Sequence, residues 1–402
     1  MAAVGTLSSA SLASTHHRIV IVGGGTAGVT VAAQLSRSKQ LEKPDIAILD
    51  PAATHHYQPG WTLVGSGLKP LAPMQRPLPS VIPAGVKHYP LNVSNFDPEN
   101  NVVKTSEGTQ VSYDYLIVAP GLETNFGAVS GLSEALQDPA SSVSSIYSAQ
   151  TVENVWKNIQ GFKQGNAIFT QPAGIIKCAG APQKILWMAL SQWKRDGVRE
   201  NINATFATGA PVMFAVPKYS QALETLRQQR NVEGLFQHNL TAVDVKNKTA
   251  VFKNLAKDGE RVERPFDFLH VVPPQKPWDW IAKSPLGDAS SLPNSKTAAA
   301  ISSQAPVLVH NLLATIAGKE GKAGYDGYAS CPLLTGHNEL MLCEFKYGGV
   351  PKETFSGVFG GQEKPRRAFY HLKKDFFPYI YWNSFLKGTW YGPQGFSQPK
   401  YD

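Results

Sequence analysis

The stretch from Arg18 to Leu35 constrains this chain more than any other. Ile19 to Val22 is an unbroken β-branched run, the pattern of a strand buried on both faces. It passes without a spacer into Gly23-x-Gly25-x-x-Gly28, and then into a helix carrying Val31, Ala32 and Leu35. Each glycine has a mechanical role: a tight turn, close approach of backbone to a diphosphate, and packing of helix on strand. The free N–H groups at the helix start then hold the diphosphate. A second strand, Ile46 to Asp50, ends in a carboxylate 22 residues beyond Gly28, where it suits a ribose hydroxyl. Strand, turn, helix and acid together predict a dinucleotide-binding α/β domain and disfavour a glycine turn without a ligand. By themselves they do not choose between NAD and FAD.

Two later blocks extend the pattern. Tyr113 to Gly121 is an apolar strand closing on a small-residue turn, and Gly287-Asp288 precedes a helix start at Asn294 to Ile301. In that order the three blocks resemble the two-dinucleotide-domain flavoprotein disulfide reductases, in which the late Asp holds the flavin's ribityl chain. The expected fold is α/β, with two Rossmann-like dinucleotide-binding domains of the FAD/NAD(P)-binding type and a C-terminal membrane-contacting region. The boundaries expected are 1–17 for a leader, 18–160 for the first part of the FAD-binding domain and 161–286 for the second domain. A return segment at 287–320 and the C-terminal region at 321–402 complete the chain.

Composition agrees. A length of 402 residues suits two or three domains, and 42% apolar with 17% charged residues excludes disorder on the scale of the chain. The net charge of +8 is spread out, which suits an anionic surface; a membrane fits as well as a nucleic acid. No stretch reads as a transmembrane helix. The first seventeen residues hold Ser, Thr and Ala and no acid, so they read as a disordered leader or a short targeting peptide. Cys178, Cys331 and Cys343 are too few for a disulfide-rich fold or a four-cysteine zinc site, and no metal is expected.

The second domain opens on a strand at Asn166 to Thr170, where a pyridine-nucleotide enzyme would carry another glycine fingerprint. This chain has Gln171 to Pro182 there, with Cys178 four residues before Pro182. That spacing suits the first turn of a helix bearing Leu186, Ala189, Leu190 and Trp193 as an apolar stripe. A thiol at a helix start beside Lys177 and Lys184 should ionise readily. A reactive sulfur where a nucleotide would dock argues against NADH as the electron donor. Cys331, before Pro332, reads as turn-like, and Cys343, within Glu339 to Tyr347, as a structural strand residue. A buried inert thiol remains the alternative for Cys178 and for Cys331.

Four blocks together resemble the sulfide:quinone oxidoreductases of the eukaryotic mitochondrial type. They are the turn at 23–28, His56 to Gly65, Lys177 to Lys184, and Tyr325 to Gly336. The resemblance implies Cys178 and Cys331 as the redox-active pair, with Lys184 beside them. It implies flavin contacts at Gly23, Gly25, Thr26, Ala27, Gly28, Asp50, Gln58, Val93, Asp288, Ala298, Ala299, Ala300 and Ile301. The implied chemistry takes hydrogen sulfide to a cysteine persulfide, passes two electrons through FAD to ubiquinone, and gives the sulfur to sulfite or a small thiol. The implied place is the mitochondrial inner membrane, held peripherally, with no nucleic acid as partner. Which cysteine carries the persulfide is left open.

Between Phe376 and Tyr391, eight of sixteen residues are aromatic, and Lys364, Arg366, Arg367, Lys373, Lys374 and Lys387 flank them. This suits a helix lying in the headgroup plane; an aromatic core or dimer contact is the alternative. A type II NADH:quinone oxidoreductase is the competing enzyme. A catalytically impaired relative is the other class, because Ile281 to Leu286 runs straight into Gly287-Asp288. In the resembled family a hairpin and an apolar strand lead into that turn.

Overall fold

The computed structural model describes residues 15–138, 140–286 and 295–401. The β-branched run becomes the central strand of a six-stranded sheet, β1 (Thr15–Val22), followed by the helix α1 (Thr26–Ser36). β2 (Ile46–Leu49) and β3 (Lys87–Tyr89) extend the sheet in parallel on one side. β4 (Val93–Asp97), β5 (Val102–Thr105) and β6 (Gln110–Val118) follow in the chain, and β6 pairs parallel with β1 on its other side. β4 and β5 finish the sheet as an antiparallel pair. β1 and β2 are buried over Ile19 to Val22 and Ile46 to Leu49, as apolar runs between helices must be.

One edge is open. β5 pairs with only the first part of β6, so Tyr115 to Val118 have β1 on one side and, among the described residues, no strand on the other. Trp278, Trp280 and Leu286 pack over this face. Gly287-Asp288 lie outside the described residues, so the turn expected there has no structural account.

The second sheet is parallel throughout. β7 (Val143–Ser144), β8 (Gly165–Gln171), β9 (Ile202–Thr208), β10 (Val232–Phe236) and β11 (Phe268–His270) run in the order β7-β11-β8-β9-β10. This is the second Rossmann-like domain the sequence leads one to expect. Its helix α2 (Ala181–Arg195) buries the predicted stripe and also Ile185, Trp187 and Met188, so it is enclosed on nearly every side. Each such Leu, Ile or Met contributes about 1.5–3 kcal/mol of burial, which makes α2 a rigid platform for what precedes it.

α3 (Ala298–Ile316) begins with Thr297 accepting the Ala300 N–H at 3.1 Å and packs along α1. By length and composition this helix could cross a membrane, which the sequence reading overlooked. Ala300, Ala305, Val309 and Leu313 are buried against other elements, the last three in the same core as Ile19 and Val31, so it serves as a layer of the domain. The chain then forms the hairpin β12 (Ala329–Gly336) and β13 (Glu339–Lys346).

Two local expectations are corrected. Cys331 lies in strand β12, because Pro332 is tolerated at the edge of a three-stranded sheet. Cys178 precedes the helix: Gly180 is the N-cap, and Cys178 takes a left-handed φ of 59°. The aromatic segment also divides. Tyr381, Trp382 and Phe385 are buried in the core, while Phe376 and Tyr379 are exposed at 39% and 64%.

Candidate active site

Cys178 and Cys331 come from separate folding units and meet at 3.6 Å between sulfurs. The Cys178 loop is held from both sides. Its N–H donates to Lys296 O at 3.3 Å, and Ala181 N–H donates to Cys178 O at 2.8 Å. The left-handed backbone of a non-glycine residue costs roughly 1–3 kcal/mol and persists only where surroundings impose it. Gly180 allows the approach: a Cβ there would collide with Cys331 Sγ.

Lys184, one turn into α2, donates to Cys178 Sγ at 3.3 Å and is buried. The hydrogen bond from Cys331 and the charge of Lys184 hold the Cys178 thiol well below its ordinary value. Sharing that proton, together with burial, pushes Cys331 well up. The direct hydrogen bond from the Lys184 ammonium to Cys178 favours the negative charge of the pair on that sulfur. Burial works against the charge of Lys184, but attraction to the two sulfurs outweighs it and raises its value. Cys343 stands opposite Cys331 in the hairpin register; burial pushes its thiol up, so it stays protonated.

Lys373 belongs to this site, although sequence reading placed it among the basic flanks. It is buried, donates to Pro59 O at 2.8 Å, and is pulled down to about 7 by burial and by the nearby charge of Lys184. A signal existed: Phe369 and Tyr370 stand four and three residues before it, on the face a helix would bury. Lys177 is drawn to about 8 by burial, and Tyr147 donates to its carbonyl at 3.0 Å. Two buried lysines, Lys184 and Lys373, thus act on the pair, an arrangement that favours an anion there.

The dinucleotide turn fits the group expected of it. Gly23 has φ of 106°, and Cβ atoms on Gly23 and Gly28 would strike Ala119 and Gly23 backbone atoms. At Gly25 a Cβ would meet nothing within 4 Å, leaving the turn's face open for a diphosphate. Asp50 lies beneath the turn, accepting the Gly24 N–H at 2.5 Å and the Ala52 N–H at 2.8 Å. Thr26 and Ala27 begin α1, and Ala298 to Ile301 form the first turn of α3. Gln58 is exposed at the head of a short 3₁₀ turn and Val93 is buried at the start of β4; neither is hydrogen-bonded to the dinucleotide turn. Asp288 lies outside the described residues.

A glycine-turn domain joined to a second parallel-sheet domain, with Cys178 of the latter meeting Cys331 of the C-terminal hairpin, defines a class, and the family model for pyridine nucleotide-disulphide oxidoreductases matches residues 17–168. The mitochondrial sulfide:quinone oxidoreductase of Schizosaccharomyces pombe is 45% identical over 445 aligned residues, covering 99% of this chain and 97% of that protein. The mitochondrial sulfide:quinone oxidoreductase of Mus musculus is 38% identical over 406 residues, covering 95% and 89%. The structure of the sulfide:quinone oxidoreductase from Aquifex aeolicus shares the fold, with a TM-score of 0.73 at 17% identity and 92% of each chain covered. The chain belongs to the sulfide:quinone oxidoreductase family. The first alignment is longer than the 402 residues here, so that relative carries residues this chain lacks.

Proposed function

We propose that this chain oxidises hydrogen sulfide to sulfane sulfur at Cys178 and Cys331, with FAD as resident cofactor and ubiquinone as electron acceptor. The observation that carries this reading is two cysteine sulfurs 3.6 Å apart beside a buried lysine, at the position where a nucleotide-using relative would need glycines.

The polarity of the pair supports one assignment of roles. In thiol exchange the sulfur with the lower pKa leaves faster. When the two cysteines are joined as a disulfide, hydrosulfide therefore attacks Cys331 Sγ, the S–S bond breaks, and Cys178 departs as the thiolate that Lys184 stabilises. The persulfide forms on Cys331. A sulfite ion or small thiol then takes the outer sulfur, leaving both cysteines reduced. Closing the pair to a disulfide releases two electrons, which FAD, when bound, accepts and passes to quinone. Lys373 and Lys184 attract the anions and need not move a proton.

Aromatic side chains at Phe376 and Tyr379, with basic residues flanking them, favour peripheral docking on a membrane where quinone is dissolved. The relatives are named as mitochondrial, which supports a mitochondrial membrane, and the inner membrane is the site of this reading. Sulfide-dependent reduction of a soluble ubiquinone analogue with sulfite present is the test: thiosulfate forming with one quinol per sulfide supports the reading. Quinone reduction by NADH alone would favour the type II dehydrogenase.

A further inference from the structure

Thr26, the first residue of α1, sits where the helix N–H groups open onto the dinucleotide turn. Its Oγ1 lies 2.7 Å from Tyr381 Oη, although the two are 355 residues apart in the chain. Tyr381 Oη also lies 2.7 Å from His55 Nε2, and His55 Nδ1 lies 3.0 Å from Gly24 O. A carbonyl can only accept, so Nδ1 carries the hydrogen and Nε2 accepts from the tyrosine; Thr26 then donates to Tyr381. His55 and Tyr381 are both buried, and burial keeps the imidazole below its ordinary value, in the neutral form this chain of bonds requires.

The packing around this chain is aromatic. Tyr381 stacks against Tyr57 with ring centres 4.4 Å apart, and Trp382 lies edge-on to His55 at 5.9 Å, with the Arg76 guanidinium 4.4 Å over its ring. One hydroxyl of the C-terminal segment therefore holds two points of the same turn, Thr26 directly and Gly24 through His55. Three consecutive glycines, Gly23 to Gly25, would otherwise be the loosest backbone in the domain.

We propose that Tyr381 and His55 form a clasp that fixes the dinucleotide turn in its ligand-binding shape, so that FAD binding and seating of segment 377–386 are linked. Tyr381 is a positioning residue in this scheme: it acts on the diphosphate through the backbone of the turn. The clasp rests on the reading that the turn binds FAD. Freedom removed before the ligand arrives appears as affinity, and linkage makes the effect reciprocal: bound FAD must steady the segment as much as the segment steadies FAD.

The test uses the full-length apo-protein, titrated with FAD, as wild type, Tyr381→Phe and His55→Gln. Hydrogen exchange of 377–386 is followed with and without FAD. Tyr381→Phe keeps the ring packing and removes two hydrogen bonds, so FAD should bind about ten-fold or more weakly. FAD should slow exchange of 377–386 in the wild type, and this protection should be largely lost in the variant, with the apo-protein's unfolding midpoint little changed. A variant that binds FAD as the wild type does, or an exchange pattern indifferent to FAD, overturns the clasp alone. A wild type that binds no FAD overturns both the clasp and the cofactor reading.

Discussion

Cys178 and Cys331 stand 153 residues apart in the chain and hold their sulfurs 3.6 Å apart in the fold. Cys343 is directly across the hairpin from Cys331, yet burial keeps it a thiol. Cys178→Ser and Cys331→Ser should therefore each abolish sulfide oxidation, by at least a factor of a thousand. Cys343→Ser should keep most of it and lose about 1–3 kcal/mol of stability for a hydroxyl placed in the core. Steady-state rates and thermal unfolding of the three variants check this; a dead Cys343→Ser protein that is still folded would show the pairing is wrong.

The pH dependence follows from Lys373. Its value near 7 makes it cationic below that pH and neutral above it. An anion approaching Cys178 is therefore helped at pH 6 and helped less at pH 8, where Lys373 has lost its charge and Lys184 keeps its own. Alkylation of reduced protein by iodoacetate relative to iodoacetamide cancels the thiolate fraction common to both. That ratio should fall roughly ten-fold as pH rises through 7, on a Coulomb estimate of 1–2 kcal/mol at an effective dielectric near 20. In Lys373→Met it should be low and flat.

Membrane contact should reside in the exposed aromatics. Phe376→Glu with Tyr379→Glu should lower flotation with anionic liposomes several-fold and leave circular dichroism unchanged. Trp382→Glu is a poor probe of the same idea, because Trp382 is 5% exposed and packs on His55 and Arg76, so its loss would disturb the core.

The open edge of β6 bears on cofactor loading. A parallel strand paired along Tyr115 to Val118 would fix the turn after it, and no described strand does so. One or two charge-assisted hydrogen bonds lost at about 1.5–3 kcal/mol each weaken FAD binding ten- to several thousand-fold. Purified protein should carry FAD well below one per chain. Insertion of a hairpin and an apolar strand between Leu286 and Gly287 should raise the ratio of flavin to protein absorbance. A full load in the unaltered chain would show that the gap is tolerated.

Much of the frame was legible in the residues, for physical reasons. Strand, turn and helix at Ile19 to Leu35 are local, and so is the stripe on α2; short-range periodicity carries both. Cys331 was misread because Pro332 signals a turn unless the strand lies at a sheet edge, and edge position is a tertiary fact. Lys373 and Tyr381 were hidden for the same reason: a charged flank and an aromatic cluster gain their roles from Pro59 and Thr26, more than three hundred residues away.

The central claim is that the thiol pair, and no pyridine nucleotide, delivers electrons to the flavin. Anaerobic stopped-flow mixing of the FAD-loaded protein with sulfide or with NADH measures this directly. Sulfide should bleach the flavin absorption at about 450 nm within a single turnover, and NADH at the same concentration should leave it unchanged over minutes. Rapid bleaching by NADH, or none by sulfide, would contradict the account.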